Sequence, residues 1–354
     1  MTPQQIELIR ENQRILYTFR KGGANLPRKQ KVELCRFLDE AFKTVSTKMQ
    51  TLKKYKIILD DNFVINSELA YFAGFYITKK EIEVELIDFQ FESVLQKIAP
   101  NFPCKVTFER NDKLLLILRD LVEKLSNMVP LVAVSVAFDK CMDYDKNIAY
   151  RIKGNSFLVD ETSLLLKNSI FLTGELREFM QVDTTLAYTL YLREKVFESD
   201  SIVYYDLDNG KIGYVKHNIL SKELNPACQL IFPRYTDKQK EILEAFESLS
   251  DKEYETQLIN ILSSGIFKVF DNASLQIRSI LNPNHFIIDG KWIKSSHFYE
   301  FYTQNSLYFN GTDEIVNTLY LAAPWPIIMK KEEQPQKGAA IFAAYSFFNW
   351  DLKW

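Results

Sequence analysis

The chain's most suggestive chemical groups lie between Thr44 and Lys54. Thr44, Ser46, Thr47, Lys48, Gln50 and Thr51 alternate with the apolar residues Val45, Met49 and Leu52, and Lys53 and Lys54 close the stretch. The apolar set recurs at i, i+4 and i+7, the stripe of an amphipathic helix. The opposite face then carries short hydrogen-bonding groups and long cations. Gln can bond adenine edges, Ser and Thr can reach bases or phosphates, and Lys neutralises phosphates. This is the chemistry of contact with a DNA major groove. An ordinary solvated helix face is the plainer alternative. Arg28, Lys29 and Lys43, just upstream, add cations that suit phosphate contact.

Asp183 is the second group of interest. Met180–Gln181–Val182 reads as a short strand ending there, and an amphipathic helix over Thr184–Arg193 follows, with Leu186, Leu190 and Val196 inward. That position suits an N-cap, whose carboxylate accepts N–H bonds from the first helical turn. Metal chemistry finds little support. Cys35, Cys104, Cys141 and Cys228 are scattered with no C-x-x-C spacing, and His217 fits an exposed strand better than a ligand set. Neither a zinc site nor any other cofactor is expected.

The elements around the 44–54 helix sharpen its meaning. Ile6, Ile9, Leu16 and Phe19 share one face of a helix over Ile6–Phe19, stopped by Gly22 and Gly23. A second short helix over Arg28–Asp39 offers Val32, Leu34, Cys35 and Leu38 for burial, and the third begins near Ala41 after a tight turn. Three helices with the last two closely joined are a helix-turn-helix arrangement. Two apolar runs around Asp60–Asp61–Asn62 then read as a hairpin, the wing of a winged helix. Residues 1–58 hold thirteen Lys/Arg and five Asp/Glu, a net of +8 in a chain whose total is −2. A basic end on an acidic body is an electrostatic footprint of nucleic-acid binding.

With 354 residues, the chain calls for two or three domains. Eleven glycines are few for a fold that must bring backbone close to phosphates. The first residues carry no apolar leader segment, and no run approaches the eighteen apolar residues of a spanning helix, so a cytoplasmic place off the membrane is expected. Leu69–Asp88 reads as two strands about a turn at Thr78–Lys80, with Ile82, Val84 and Leu86 on one side of the second. Asp112–Asn127 reads as a helix with Leu115, Leu118, Leu121, Val122 and Leu125 inward. Leu131–Phe138 is β-branched and apolar, a buried strand. Ile202–Leu207 and Ile212–Val215 flank a turn at Asp208–Asn209–Gly210. Helices over Thr236–Ser250 and Tyr254–Leu281 and a strand over Phe286–Asp289 follow. Gly338, Ala339, Ala340, Ala343 and Ala344 give a late helix a small face for close packing.

Several of these stretches resemble the ROK family (repressor, open reading frame, kinase). TVSTKMQTLKKYKII resembles that family's reading helix, which opens on T-V-S, and Glu7–Asn12–Gln13–Arg14–Ile15–Leu16 resembles its leading helix. AYFAGFYITKKEIEVELIDF matches the rhythm of the strand–turn–strand that opens the family's body, but Tyr76 stands for its phosphate-turn aspartate and Thr78 for its turn glycine. Ala137–Phe138–Asp139–Lys140 replaces the family's glycine- and proline-bearing sugar loop. Asp183 matches the family's catalytic base, while Val182 and Thr185 replace the flanking asparagines. Only Gly210 and Gly213 remain of a phosphate loop, and Asn225–Pro226–Ala227–Cys228–Gln229 stands where zinc-site motifs would be. LNPNHFIIDGKW and KGAAIFAAYSFF resemble the closing segments.

The resemblance implies an α/β chain with an N-terminal all-α winged helix. A winged helix-turn-helix DNA-binding domain over 1–66 would precede a two-lobed, actin-like (ribonuclease H-like) ROK body. The first lobe would span 67–190, closed by a C-terminal helix within 337–354, and the second 191–336. It further implies a bacterial homodimer on double-stranded operator DNA, a transcriptional regulator without kinase activity that represses carbohydrate-related genes. A sugar or sugar-phosphate effector would sit between the lobes with Asp183 as polar anchor. The rivals are a sugar kinase-like protein with residual sugar binding and a non-catalytic dimeric interaction scaffold.

Overall fold

In the computed structural model, the described residues are 1–22, 42–59, 64–108, 111–143, 146–153, 156–169, 178–197, 201–206, 211–216, 219–220, 265–281, 283–290, 326–328 and 334–348, with single positions 238, 241 and 253. The helix over Arg28–Asp39, the turns at 60–63 and 207–210, the helix over Thr236–Ser250 and the segment 225–234 lie outside them. The chain forms two compact units, Met1–Tyr191 with Gln334–Trp354, and Leu192–Glu333.

The first unit begins with α1 (Pro3–Glu11) and α2 (Gln13–Gly22). Thr2 and Gln5 form a reciprocal capping box at the start of α1: the Thr2 hydroxyl accepts from the Gln5 N–H at 3.2 Å, and Gln5 Oε1 accepts from the Thr2 N–H at 2.7 Å. Ile6, Ile9, Leu16 and Phe19 are buried as their spacing requires, together with Ile15. The single helix expected over Ile6–Phe19 is, however, two. The break falls at Asn12, which leaves the helical region at φ −113° and ψ 23°, and whose side chain donates to the Leu8 carbonyl at 2.9 Å beside its own N–H bond to that oxygen at 3.0 Å.

Helix α3 (Phe42–Lys54) buries Val45, Met49 and Leu52. Its end is a Schellman motif built without glycine. The Ile57 N–H donates to the Leu52 carbonyl at 3.0 Å, the Lys56 N–H donates to Lys53 at 2.9 Å, and Lys56 takes φ 55°. Leu52 and Ile57 are both fully buried, the apolar contact that goes with this cap. A two-stranded antiparallel ladder follows, β1 (Ile58–Leu59) with β2 (Val64–Ile65), pairing Ile58 with Ile65. Asn66 ties the ladder to the helix end by donating to the Ile57 and Lys56 carbonyls, both at 2.9 Å.

A five-stranded sheet forms the centre of this unit: β3 (Tyr71–Ile77), β4 (Glu81–Ile87), β5 (Lys105–Thr107), β6 (Leu131–Phe138) and β10 (Glu178–Asp183), in the order β10-β6-β3-β4-β5. β3, β6 and β10 run parallel, while β4 and β5 are antiparallel to their neighbours. Every residue of β6 is buried, which is why it reads as an unbroken apolar run. Between β4 and β6 stand a single helical turn, α4 (Leu95–Ile98), and the long helix α5 (Asn111–Met128). α5 buries Leu114, Leu118, Leu121, Val122 and Leu125, so Leu114 takes the inward place expected of Leu115, which is partly exposed.

A small antiparallel sheet, β7 (Cys141–Asp143), β8 (Ile148–Lys153) and β9 (Ser156–Val159), and then α6 (Glu161–Ser169) precede β10. Asn147 and Gln181 lock this sheet to β10. The Gln181 N–H donates to Asn147 Oδ1 at 2.7 Å, and Asn147 Nδ2 donates to the Phe179 carbonyl at 2.9 Å. The buried Ser163 hydroxyl donates to Gln181 Oε1 at 2.8 Å and accepts from the Ala149 N–H at 2.6 Å. α7 (Thr184–Tyr191) follows β10. It is shorter than the expected Thr184–Arg193 because the chain widens into a π-type turn over Leu192–Phe197.

In the second unit, β11 (Ser201–Asp206), β12 (Lys211–Lys216), β13 (Ile219–Leu220), β14 (His285–Asp289) and β15 (Pro326–Ile328) form a sheet in the order β13-β12-β11-β14-β15. β11, β14 and β15 are parallel. α8 (Ile266–Leu281) leads into β14.

The last helix, α9 (Pro335–Phe347), belongs to the first unit and packs on β3, β4, β6, β10 and α7. Its approach is backbone to backbone. A Cβ at Gly74 in β3 would stand 1.9 Å from the Gln336 carbonyl oxygen, and one at Gly338 would stand 1.7 Å from the Ala187 carbonyl oxygen. Helix propensity favours Gly338→Ala by up to ~1 kcal/mol, but overpacking costs ~1–3 kcal/mol and more against rigid backbone. The clash therefore wins. Denaturant unfolding of Gly338→Ala is expected to show a net loss of about 2 kcal/mol or more, with unchanged or higher stability contradicting this packing.

Candidate functional site

Three places bring chemically capable residues together. The first is the outer face of α3. Lys43, Thr44, Ser46, Thr47, Gln50 and Lys54 are exposed there, with Lys48, Thr51 and Lys53 partly exposed. The sequence-derived set thus lies together on one helix, apart from Arg28 and Lys29, which fall outside the described residues. Two of its hydroxyls are engaged along the helix itself: Thr47 donates to the Lys43 carbonyl at 2.9 Å and Thr51 to the Thr47 carbonyl at 3.0 Å. Each still has lone pairs to offer a donor. Beyond the C-terminal end of α3, Lys54, Tyr55 and Lys56 face Thr2, Pro3 and Gln5 across an open groove of about 540 Å³. Gln5 Nε2 donates to the Tyr55 carbonyl at 2.9 Å and fixes α1 against that end.

This basic end is held on the sheet of its own unit. Arg10 donates to the Phe347 carbonyl at 2.8 Å, at the C-terminal end of α9. Arg20 lies 3.9 Å over the Phe91 ring and 3.4 Å from the Tyr345 hydroxyl. Gln90 Nε2 donates to the Ile65 carbonyl at 2.8 Å. Phe91 is buried at φ 66°, an unusual conformation for a bulky residue, in a turn where the Asp88 carboxylate accepts the Gln90 and Glu92 N–H groups, both at 2.9 Å. Sequence reasoning missed Arg10 and Arg20 as anchors, because their partners lie more than 300 residues away along the chain for Arg10–Phe347 and Arg20–Tyr345.

The second place is the carboxyl edge of the parallel strands β3, β6 and β10. Ligands in open α/β sheets bind at such edges. Asp183 ends β10 in register with Phe138, which is itself in register with Ile77. Asp183 is only 1% exposed, and its Oδ1 accepts the Thr185 N–H at 2.8 Å. That is the N2 contact of an N-cap. Phe138 beside it is also buried. The adjoining turn is closed on itself: the Thr78 hydroxyl accepts from the Lys80 and Glu81 N–H groups at 3.3 and 3.0 Å, and the Thr78 N–H donates to the Glu81 carbonyl at 2.9 Å. The N–H groups of Thr78, Lys80 and Glu81 are thus engaged within the turn itself.

The third place is the matching edge in the second unit. Asp206 ends β11 and Asp289 ends β14, in register and both buried. The Tyr204 hydroxyl donates to Asp289 Oδ2 at 2.9 Å. Two neighbouring carboxylates repel a bare phosphate and favour a cation. Sequence reasoning passed over this pair, although each aspartate closes an apolar run just before a turn. Among the described residues no group of three His, Cys, Asp or Glu could hold a metal ion, and no helix is long and apolar enough to cross a membrane. His217 and the segment 225–234 lie outside the described residues.

No family model and no curated protein matches the sequence. Solved structures do match in fold. A ROK family transcriptional regulator, a homologue of the E. coli MLC protein, aligns over 98% of this chain and 97% of its own, with a TM-score of 0.56 at 10% identity. A ROK hexokinase from Thermus thermophilus aligns over 79% of this chain and 99% of its own, with a TM-score of 0.50 at 12% identity. These neighbours are ROK proteins, regulator and kinase alike, and the chain shares their fold.

The geometry at Asp183 gives a direct test. Asp183→Ala removes the cap and is expected to cost about 0.5–2 kcal/mol. Asp183→Asn keeps an acceptor oxygen and is expected to lose less. Equal losses for the two variants in thermal or denaturant unfolding would show that the carboxylate's charge, not its capping oxygen, matters there.

Proposed function

We propose that the chain is a ROK-family transcriptional regulator that binds double-stranded operator DNA through residues 1–66 and transfers no phosphoryl group. The observation that carries this reading is α3, which presents Thr44, Ser46, Thr47, Gln50, Lys53 and Lys54 from a helix whose other face is packed. The hairpin β1–β2 behind it supports a wing. The coverage of the neighbours fits as well. The regulator aligns with 98% of the chain and the hexokinase with 79%, and the 19% difference amounts to about 67 of the 354 residues, the size of the basic N-terminal segment.

The kinase alternative has a shared fold in its favour. Phosphoryl transfer, however, works by positioning phosphates and stabilising their charge. Here the Thr78 turn is closed by its own hydroxyl, which accepts the Lys80 and Glu81 N–H groups. Repression of carbohydrate-related genes in the bacterial cytoplasm, by a homodimer, is the fuller form of the proposal. Asp183 would anchor a sugar or sugar-phosphate effector only after giving up its buried place. A protein reduced to an interaction scaffold would bind neither DNA nor sugar.

Two double variants separate reading from holding. Thr47→Ala with Gln50→Ala should narrow the gap between operator and unrelated DNA. Lys53→Ala with Lys54→Ala should weaken binding to all DNA and reduce the slope of log K against log salt by up to about 2. Retention assays across a salt series measure both. Undiminished operator binding by a chain lacking residues 1–66 would overturn the assignment, as would sugar-dependent ADP release by the intact protein above an Asp183→Asn control.

A further inference from the structure

Two hydroxyls on the outer face of α3 are committed before any partner arrives. Thr47 Oγ1 donates to the Lys43 carbonyl at 2.9 Å, and Thr51 Oγ1 donates to the Thr47 carbonyl at 3.0 Å. A hydroxyl has one proton, so neither has another to give. Each side chain still offers lone pairs and a methyl group. Thr47 is exposed and Thr51 partly exposed. With the oxygen turned back to the helix, the methyl is the group left to face outward. The arrangement is stiff as well. A β-branched side chain has few rotamers in a helix, and the bond to the carbonyl four residues back selects among them for threonine. Donating outward would break that bond.

The two threonines stand four positions apart, about 6 Å along the helix at its rise of ~1.5 Å per residue. Bases on one strand are spaced about 3.4 Å, so this distance covers roughly two steps. Gln50 is exposed on the same face, and its amide both donates and accepts. Lys43 and Lys54, exposed towards the two ends of the row, carry the charge that phosphates require.

Base edges sort on this chemistry. Guanine shows N7 and O6, both acceptors, and phosphate oxygens are acceptors too; each needs a donor that neither threonine has. Thymine alone carries a methyl in the major groove. Adenine pairs an acceptor, N7, with a donor, N6–H, which matches the two ends of a glutamine amide. On the DNA-binding reading, from which this starts, we infer that α3 reads A·T pairs. The methyl groups of Thr47 and Thr51 pack against thymine methyls, Gln50 bonds adenine, and the phosphates are left to the lysines. Cytosine, whose N4 amine suits an acceptor-only hydroxyl, is the competing partner.

The test uses the full chain and duplexes that it selects from random sequence. The base pairs whose replacement weakens binding most should be A·T. Uracil in place of thymine removes only the methyl, and at a contacted position it should weaken binding by the parent chain about fourfold, the worth of one buried methyl. Thr47→Ser keeps the hydroxyl without the methyl, and Thr47→Val keeps a methyl without the hydroxyl. At one thymine, Thr47→Ser should bind the thymine and uracil duplexes equally, whereas Thr47→Val should discriminate as the parent does. Selected half-sites of G·C pairs overturn the inference. So does a parent chain indifferent to uracil at every position, or discrimination that Thr47→Ser keeps throughout and Thr47→Val loses. Each of these results leaves DNA binding itself standing. Selection that recovers no DNA removes the DNA-binding reading and this inference together.

Discussion

The close approach of α9 to the rest of its unit is the contact on which the molecule's organisation depends. Gly74 and Gly338 are the points where backbone meets backbone, against Gln336 and Ala187 respectively. A side chain at either place would push α9 off β3 or α7. Because the helix sits so low, its aromatic end reaches the turn after β4: Phe348 meets Phe72 and Phe89, and Tyr345 meets Phe91. The same end accepts the N-terminal helices. Helix C-termini leave carbonyls without intrahelical partners and carry partial negative charge. Arg10 answers both needs at Phe347. The basic segment is therefore packed into the unit that holds Asp183, and α9 touches both α7 and the N-terminal helices.

The strand edges that serve ligands in open α/β sheets have a different chemistry here. A phosphate site wants free N–H groups, glycines and cations. The first unit offers a turn whose N–H groups bond Thr78, and a buried Asp183 that caps α7 beside Phe138. The second offers Asp206 next to Asp289. In the first unit these bonds leave a closed, self-satisfied edge. Burying carboxylates is costly unless they accept hydrogen bonds, and Tyr204 supplies one to Asp289.

Much of this was legible in the sequence because apolar periodicity reports burial directly. β6 emerges with the bounds read from its composition, Leu131–Phe138, and Ile82, Val84 and Leu86 all face inward on β4. The small residues of α9 foretold its tight packing. What escaped notice depended on side-chain bonds or distant partners. Asn12 leaves the helical region inside a stretch whose apolar spacing is continuous, and its side-chain bond to the Leu8 carbonyl is invisible to a periodicity argument. Leu114 and Leu115 are equivalent to a periodicity argument, and only the sheet decides which turns inward. Lys56 closes α3 at a position where glycine is the usual signal. The Asn147–Gln181–Ser163 network joins residues up to 34 positions apart, and nothing local announces it. At the candidate site, the exposed face of α3 was readable from one stretch of sequence, whereas Asp206 and Asp289 become neighbours only through parallel pairing.

Selection of genomic fragments by the purified, full-length protein tests the central claim most directly. Fragments retained at physiological salt are sequenced and compared with those retained by Thr47→Ala with Gln50→Ala. If α3 reads DNA within a two-fold dimer, the parent protein enriches a small set of fragments sharing a short inverted repeat whose half-sites lie one helical turn, or a multiple, apart. The double variant should hold DNA without that preference. Recovery of the same unselected mixture by both proteins, or of nothing by either, would contradict the account.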